Sequence, residues 1–337
     1  MPNPFVFATC RAGSETSLKK EVAGRYEGKL TPAFMRPQLI TWKAQEAELQ
    51  GDFRLRAWHA QVSGISLGMA KSEQEVAALA AGLTPVTVHV LPREVPEDGI
   101  PAEAWSRVDG LKAGICGGLG MSPERSPRPG ECVLDVIVGA EGEPMLVGWH
   151  RHQPEDLADP AALLRLQLPE DAPSRAWLKM EQALRWSGQG GGLDLKGKTV
   201  LELGSAPGGA SRSLLSRGAE VFGVDTGEMD AGILADPGFH HLKVAAGDLR
   251  PSMVPGQADL IVSDMNLEPW LVGKYVEKFA SRLQPLGLIL TLKINSGKVA
   301  AELPELIQRI RTWAPGPVYI KQLPANRQEL TLISWSA

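Results

Sequence analysis

Thr199-Val-Leu-Glu-Leu-Gly-Ser-Ala-Pro-Gly-Gly209 is the stretch that decides the fold. Its first five residues are β-formers flanked by glycine, which predicts a short strand buried in a sheet. The chain then turns through Gly204-Ser205-Ala206-Pro207-Gly208-Gly209 and enters 210–217, whose apolar spacing is helical. A strand running through a glycine turn into a helix cradles nucleotide-type ligands at the mouth of a parallel sheet. Glycine lets the backbone approach the ligand closely. The spacing differs from the dinucleotide fingerprint G-x-G-x-x-G.

Outward from that stretch, strand patterns recur at 220–225, 241–245, 258–264, 286–292, 318–321 and 329–334. Helical patterns at 267–282 and 296–312 alternate with them, so a doubly wound, mainly parallel, seven-stranded Rossmann-like sheet is expected. The last two strands have no helix between them and are expected to be antiparallel. Upstream, 174–185 reads as a helix with Ser174 as its N-cap, followed by the glycine loop 188–192. The Pro-, Asp- and Ala-rich segment 154–172 reads as a linker, and 173–337 as one α/β domain.

The first half reads as α+β. Strands are expected at 5–10 and 38–42 around a helix from about residue 14, while 46–58 is weakly patterned. A ferredoxin-like domain over 1–70 is the result. A second unit, 71–153, has a helix from Ser72, an alternating strand at 85–91 and a polar, Pro-rich 92–101. A helix at 103–111 follows, then a hairpin of 131–139 and 144–150 around Ala140-Glu-Gly-Glu143. His150 and His152, two apart at a strand end without a partner cluster in the sequence, are not read as metal ligands.

Composition narrows the class. Hydrophobic content of 43 % and charged content of 22 % are those of a globular protein. No apolar run reaches a membrane-spanning length, and the start lacks a signal-peptide pattern. Cys10, Cys116 and Cys132 are three isolated thiols, so a reduced, cytoplasmic protein without disulfides or zinc is expected. A net charge of −4 gives no global nucleic-acid footprint. Arg11, Lys19, Lys20, Arg25 and Lys29 form either a local RNA patch or an ordinary solvated helix face.

In an open α/β sheet the functional residues end the strands. With Glu202 inside the first strand, the turn resembles motif I of S-adenosylmethionine-dependent methyltransferases. Glu202, Gly204, Ser205, Ala206, Pro207, Gly208 and Gly209 are then cofactor-binding positions. Asp225 ends the second strand, placed to accept from a ribose diol, and Asp248 follows the third, placed to meet an adenine amine. Asp264 ends the fourth and belongs to both cofactor and catalytic sets. Lys293 ends the fifth, Glu329 begins the last, and Lys179 lies on the helix before the core. Two lysines brought together are expected to lower each other's pKa, with Asp264 opposing, so that Lys293 can act as a base. Trp177 and Trp270 are expected either to stack a base or to pack in the core.

Absences narrow the acceptor. Carbon-5 methylation of a pyrimidine needs a cysteine nucleophile, and no cysteine follows Cys132. Base-amine methylation typically uses an Asp/Asn-Pro-Pro-aromatic clamp, where this chain has Asp264-Met-Asn-Leu-Glu-Pro269. An oxygen nucleophile such as a ribose 2′-hydroxyl fits better. A non-catalytic RNA-binding factor and a small-molecule O-methyltransferase are the competing readings.

The chain resembles the FtsJ/RrmJ-type 2′-O-ribose RNA methyltransferases, in particular their 23S ribosomal RNA cytidine branch. The resemblance is carried by Asp171-Ala-Pro-Ser-Arg-Ala-Trp-Leu-Lys179-Met-Glu, Val224-Asp-Thr-Gly-Glu-Met229, Ser263-Asp-Met-Asn-Leu-Glu-Pro269, Asn326-Arg-Gln-Glu329-Leu-Thr and Cys10-Arg-Ala-Gly-Ser-Glu15. It implies a Lys179, Asp264, Lys293, Glu329 catalytic tetrad, S-adenosylmethionine as cofactor and a THUMP-like RNA-binding module over 71–153. It further implies 23S ribosomal RNA or an assembly intermediate as partner, with no metal and a monomeric protein. That branch carries a cysteine and a tryptophan around Pro-Gly-Gly, where this chain has Ala206 and Ala210.

Overall fold

The structure is a computed structural model that describes residues 5–45, 53–96, 99–187 and 194–336. The glycine loop 188–192 and residues 46–52 of the weakly patterned 46–58 lie outside the described residues. The chain divides into two compact units, one ending at Arg165 and the other beginning at Leu166. Among the described residues each unit is built on a seven-stranded sheet, and no helix is long and apolar enough to cross a membrane.

In chain order the first unit comprises β1 (Phe5–Thr9), α1 (Glu15–Arg25), β2 (Leu30–Arg36), β3 (Leu39–Ala44), β4 (Ser63–Ala70), α2 (Glu73–Leu79), β5 (Thr87–Pro92), α3 (Ala102–Leu119), β6 (Cys132–Val138), β7 (Met145–Arg151) and α4 (Pro160–Leu164). Its sheet runs β2-β3-β1-β4-β7-β6-β5. The boundary expected at residue 70 therefore falls within one continuous sheet, because β4 pairs with both β1 and β7. Pattern reading missed β2 and β4. All but the first residue of β2 are exposed, and β4 carries two glycines, so neither alternates apolar with polar. The expected linker also contains α4, a one-turn helix capped by Asp159. The helix predicted at 103–111 runs on to Leu119, ending at left-handed Gly120.

One face of this sheet buries Val88, Val90, Leu134, Val136 and Val147 against α2 and α3 through Val76, Trp105 and Val108. Another cluster of Leu18, Val22, Ile40 and Trp42 fixes α1. Arg25 of α1 pairs with Glu21 at 3.0 Å and lies 4.5 Å over the Trp58 ring, so one member of the basic patch is engaged within the fold.

The second unit comprises α5 (Ala176–Ser187), β8 (Thr199–Leu203), α6 (Gly209–Leu215), β9 (Glu220–Val224), α7 (Ala231–Leu234), β10 (Phe239–Leu242), β11 (Leu260–Ser263), α8 (Pro269–Leu283), β12 (Gly287–Lys293), α9 (Gly297–Arg311), β13 (Val318–Lys321) and β14 (Glu329–Trp335). Its sheet order is β10-β9-β8-β11-β12-β14-β13. The first five of those strands are parallel, and β14 is antiparallel to both its neighbours. The reversal of strand order falls at β8, whose carboxyl end opens into the glycine turn. β8, β11 and β12 sit mid-sheet with both faces covered, which explains their near-continuous apolar runs. Helices α8 and α9 are amphipathic and bury Val272, Val276, Phe279, Leu303, Leu306 and Ile310.

Candidate active site

Gly204 leaves β8 at φ +87°, and a Cβ there would lie 2.9 Å from the Met265 backbone. The turn is therefore pressed against the chain just after β11, where only glycine fits. Gly208 has φ +117°, and a Cβ would meet the Ile233 side chain at 2.7 Å. Ser205 is buried, with its hydroxyl 3.6 Å from the Met229 sulfur. Asp225, just past β9, closes the other side. Its Oδ2 accepts from the Ala206 N–H at 3.1 Å and its Oδ1 from the Gly227 N–H at 2.8 Å. The carboxylate is thus oriented by two backbone donors at the mouth of the sheet, with lone pairs left for a ligand. Pro207 anchors the far side through its carbonyl, which accepts from the Asp230 N–H at 2.9 Å. A closely packed backbone turn beside a fixed carboxylate fits the nucleoside end of S-adenosylmethionine. Asp248, by contrast, is exposed on the turn after β10.

Glu202 is 1 % exposed inside β8. Its Oε2 accepts from the Ser211 hydroxyl at 2.6 Å, while Oε1 has no hydrogen-bond partner. Burial, with Asp264 and Asp225 nearby, pushes its carboxyl up to about 8, so it is protonated at neutral pH. Ser211 was not legible as its partner, because α6 has to fold back over β8 to bring the hydroxyl there.

The four residues expected to carry the chemistry meet. Lys179 Nζ lies 2.6 Å from Asp264 Oδ2 and 3.2 Å from Glu329 Oε1. Lys293 Nζ lies 3.1 Å from Asp264 Oδ1 and 2.5 Å from Glu329 Oε2. Each ammonium thus touches both carboxylates and each carboxylate both ammoniums, a closed ring of alternating charge. The sheet explains half of it: Lys293 and Glu329 are directly opposite on antiparallel β12 and β14, where facing side chains are nearest neighbours. Asp264 ends β11, with its N–H donating to Leu203 O at 3.1 Å. Because Met265 abuts Gly204, the ring adjoins the glycine turn.

Lys179 comes from α5, outside the sheet, and its placement depends on a buried polar clasp. Glu181 is 6 % exposed and accepts from Arg217 at 2.5 Å, Arg185 at 3.2 Å and Ser213 at 3.0 Å, which docks α5 on α6. Gln182 accepts from the Ala325 N–H at 2.8 Å, tying α5 to the loop before β14. In that loop the fully buried Asn326 accepts from the Leu323 N–H at 2.7 Å and from the Thr331 hydroxyl at 3.0 Å. Glu181 and Gln182 were missed because a Glu-Gln pair on a helix reads as solvated surface.

The expectation for Lys293 requires correction. Burial works to lower its pKa, but Asp264 and Glu329 outweigh burial and hold it above the ordinary lysine value. Burial likewise works to raise Glu329, and Lys179 with Lys293 bring it below the usual carboxylate range. The lysines do not face one another unshielded, since a carboxylate lies between them on each side. In this state Lys293 holds its proton. Trp270 of α8 lines a cavity of about 480 Å³ with Leu306 and Arg309 of α9 and Trp313 just beyond it, and Trp177 is half-buried on α5.

The fold is that of a methyltransferase-type α/β unit, and residues 172–293 match the family described as FtsJ-like methyltransferase. The match lies within the second unit. The chain is 35 % identical over 181 residues to ribosomal RNA large subunit methyltransferase M of Laribacter hongkongensis, covering 51 % of this chain and 50 % of that protein. It is 27 % identical over 215 residues to the protein of the same name from Thauera aminoaromatica, covering 61 % of this chain and 57 % of that one. The chain spans about half the length of the curated relatives it matches. Among solved structures, TrmN from Thermus thermophilus aligns over 98 % of this chain and 99 % of its own, at 15 % identity and TM-score 0.35.

Proposed function

We propose that the chain is an S-adenosylmethionine-dependent RNA 2′-O-ribose methyltransferase whose substrate is large-subunit ribosomal RNA, a cytidine of 23S ribosomal RNA in particular. The observation that carries this reading is the closed Lys179–Asp264–Lys293–Glu329 ring beside the glycine turn. The FtsJ-like match and the names of the relatives support the reaction and substrate class. The first unit, with a THUMP-like module, binds the RNA. The protein works as a cytoplasmic monomer. The ring needs no metal, because two ammoniums fill the places between its carboxylates.

When bound, S-adenosylmethionine supplies a methyl group already activated by its sulfonium. Gly204, Ser205, Ala206, Pro207, Gly208 and Gly209 hold the nucleoside and amino-acid parts by close backbone approach. Asp225 accepts from the ribose diol, Asp248 reaches the base, and Glu202, kept neutral, adds no charge behind the turn. The ring aligns the attacking 2′-oxygen and manages its proton. When the 2′-hydroxyl attacks, its proton would pass to Lys293 Nζ while one of that ammonium's protons moves to Glu329 Oε2. The ring's total charge rises by one and is relieved when the proton leaves for water. This relay lets a lysine that starts protonated serve as the receiving group. Lys179 and Asp264 keep Lys293 oriented.

The test is transfer of labelled methyl from S-adenosylmethionine to unmodified ribosomal RNA by the whole chain. Incorporation that protects one phosphodiester from alkaline cleavage is expected, because a 2′-O-methyl blocks attack by that oxygen. Tight RNA binding with no incorporation would overturn the reading in favour of a binding factor.

A further inference from the structure

A cluster with no part in methyl transfer lies in the first unit. His89 of β5, Asp135 of β6 and His150 of β7 occupy one face of three adjacent strands. His89 and Asp135 are register partners. His150 is opposite Val133, two positions along β6 and therefore on the same face as Asp135. Asp135 is 0 % and His89 4 % exposed.

The hydrogen bonds fix the chemistry of each group. His89 Nε2 lies 3.1 Å from the Ala158 carbonyl oxygen. A carbonyl only accepts, so Nε2 carries a proton, and whenever the ring is neutral its Nδ1 presents a lone pair. That lone pair faces Asp135 Oδ1 at 3.4 Å, and neither atom has a hydrogen-bond partner. Two acceptors confronting each other in a buried site is unfavourable unless a cation lies between them. On the other side, His150 Nδ1 is 2.6 Å from Asp135 Oδ2. One donor atom from each of the three residues lies within 4.8 Å of the others.

We propose that His89, Asp135 and His150 form a binding site for a divalent transition-metal ion of the zinc class, which ties β5, β6 and β7 together. The His89–Asp135 separation suits it: tetrahedral zinc with bonds of about 2.0–2.1 Å sets its ligand atoms roughly 3.3 Å apart. The Ala158 carbonyl is the outer partner that fixes a ligating imidazole's tautomer. On loading, the His150 proton shifts from Nδ1 to Nε2, which frees Nδ1 to ligate, and water completes the fourth position. His152 and Asp156 extend the cluster beyond His150. Asp156 is already held by Arg54 at 2.6 Å and by the Gln153 N–H at 2.9 Å, so the His89 side is the better cation site. His150 lacked these partners in the sequence because His89 and Asp135 sit on other strands.

The experiment is calorimetric titration of the whole chain, stripped with chelator and desalted, with zinc chloride. Cobalt(II) absorption and long-range histidine nitrogen NMR run alongside. One equivalent is expected to bind, with the weak visible bands of a nitrogen and oxygen site and no thiolate band. The nitrogen signals of His89 and His150 should shift. His89→Ala and Asp135→Asn should weaken binding by about a hundredfold or more, and Cys132→Ser should leave it intact. Failure of the wild-type chain to bind zinc would overturn the proposal. So would binding undiminished in folded His89→Ala. Should either variant not fold, the NMR of the wild-type chain decides. A His89 ring protonated on both nitrogens and unchanged by zinc would mean that a proton fills the gap, and would likewise overturn it.

Discussion

Replacing Glu329 with glutamine removes one charge from the ring at nearly constant shape. Glu329 touches Lys293 at 2.5 Å and Lys179 at 3.2 Å. A unit charge pair at such a separation is worth roughly 5 kcal/mol at an effective dielectric constant of about 20. Lys293 keeps 20 % of its side chain exposed, and solvent screening reduces the figure to about half. Losing that stabilisation of the ammonium lowers the Lys293 pKa toward the ordinary lysine value. A lysine easier to deprotonate would alone assist catalysis. The relay, however, has lost its terminal acceptor at Oε2, so turnover is expected to fall by about 10²–10⁴-fold. Affinity for S-adenosylhomocysteine should be little changed. The assay is single-turnover labelled-methyl transfer across pH, with calorimetry for the cofactor product. Unchanged or faster turnover would refute the relay and return Lys293 to the part of a simple base. Parallel loss of cofactor binding would show that Glu329 is structural.

Further outcomes follow from the same geometry. Asp225→Ala should weaken binding of S-adenosylmethionine at least tenfold, and an unchanged dissociation constant would remove Asp225 from the cofactor site. Gly204→Ala, forced to φ +87° with its Cβ 2.9 Å from Met265, should lower the melting temperature and abolish cofactor binding. Wild-type thermal stability would contradict the packing described. Glu181→Ala strands Arg217 and Ser213 and loosens α5, so about 2–4 kcal/mol of stability should be lost, with denaturant titration as the measure. Glu202 contributes a pH dependence of the opposite sign to the paired carboxylates. Its folded pKa of about 8 exceeds the ordinary 4.5, so the folded state binds more protons and stability falls as pH rises through that window. Glu202→Gln should therefore narrow the difference between melting temperatures at pH 5 and pH 8; parallel curves would refute a neutral Glu202.

The order of the methyltransferase sheet was legible because β8, β9, β11 and β12 are apolar runs separated by helical patterns. Placing residues at strand ends then made Asp225, Asp264, Lys293 and Glu329 visible as candidates. Their mutual arrangement was not visible. The Lys293–Glu329 contact depends on the β12–β14 register, and the pKa of Lys293 on a carboxylate from each side. The supports of Lys179 were hidden for a different reason: Glu181 and Gln182 are polar residues buried by tertiary packing, which helical periodicity assigns to solvent. In the first unit β2 and β4 lacked alternation, so the sheet's continuity through residue 70 could not be read. His89 and Asp135 each look like an isolated polar residue within an apolar strand, and only strand pairing joins them to His150.

The central claim is methyl transfer to a ribose oxygen by the Lys179–Asp264–Lys293–Glu329 ring. Mass-spectrometric mapping of 2′-O-methyls in ribosomal RNA tests it most directly, from cells with the protein, cells without it, and cells carrying only Lys293→Ala. The account predicts one 2′-O-methyl in large-subunit RNA that is present with the protein, lost without it and not restored by the variant. An identical methylation map in all three, or full restoration by Lys293→Ala, would contradict it.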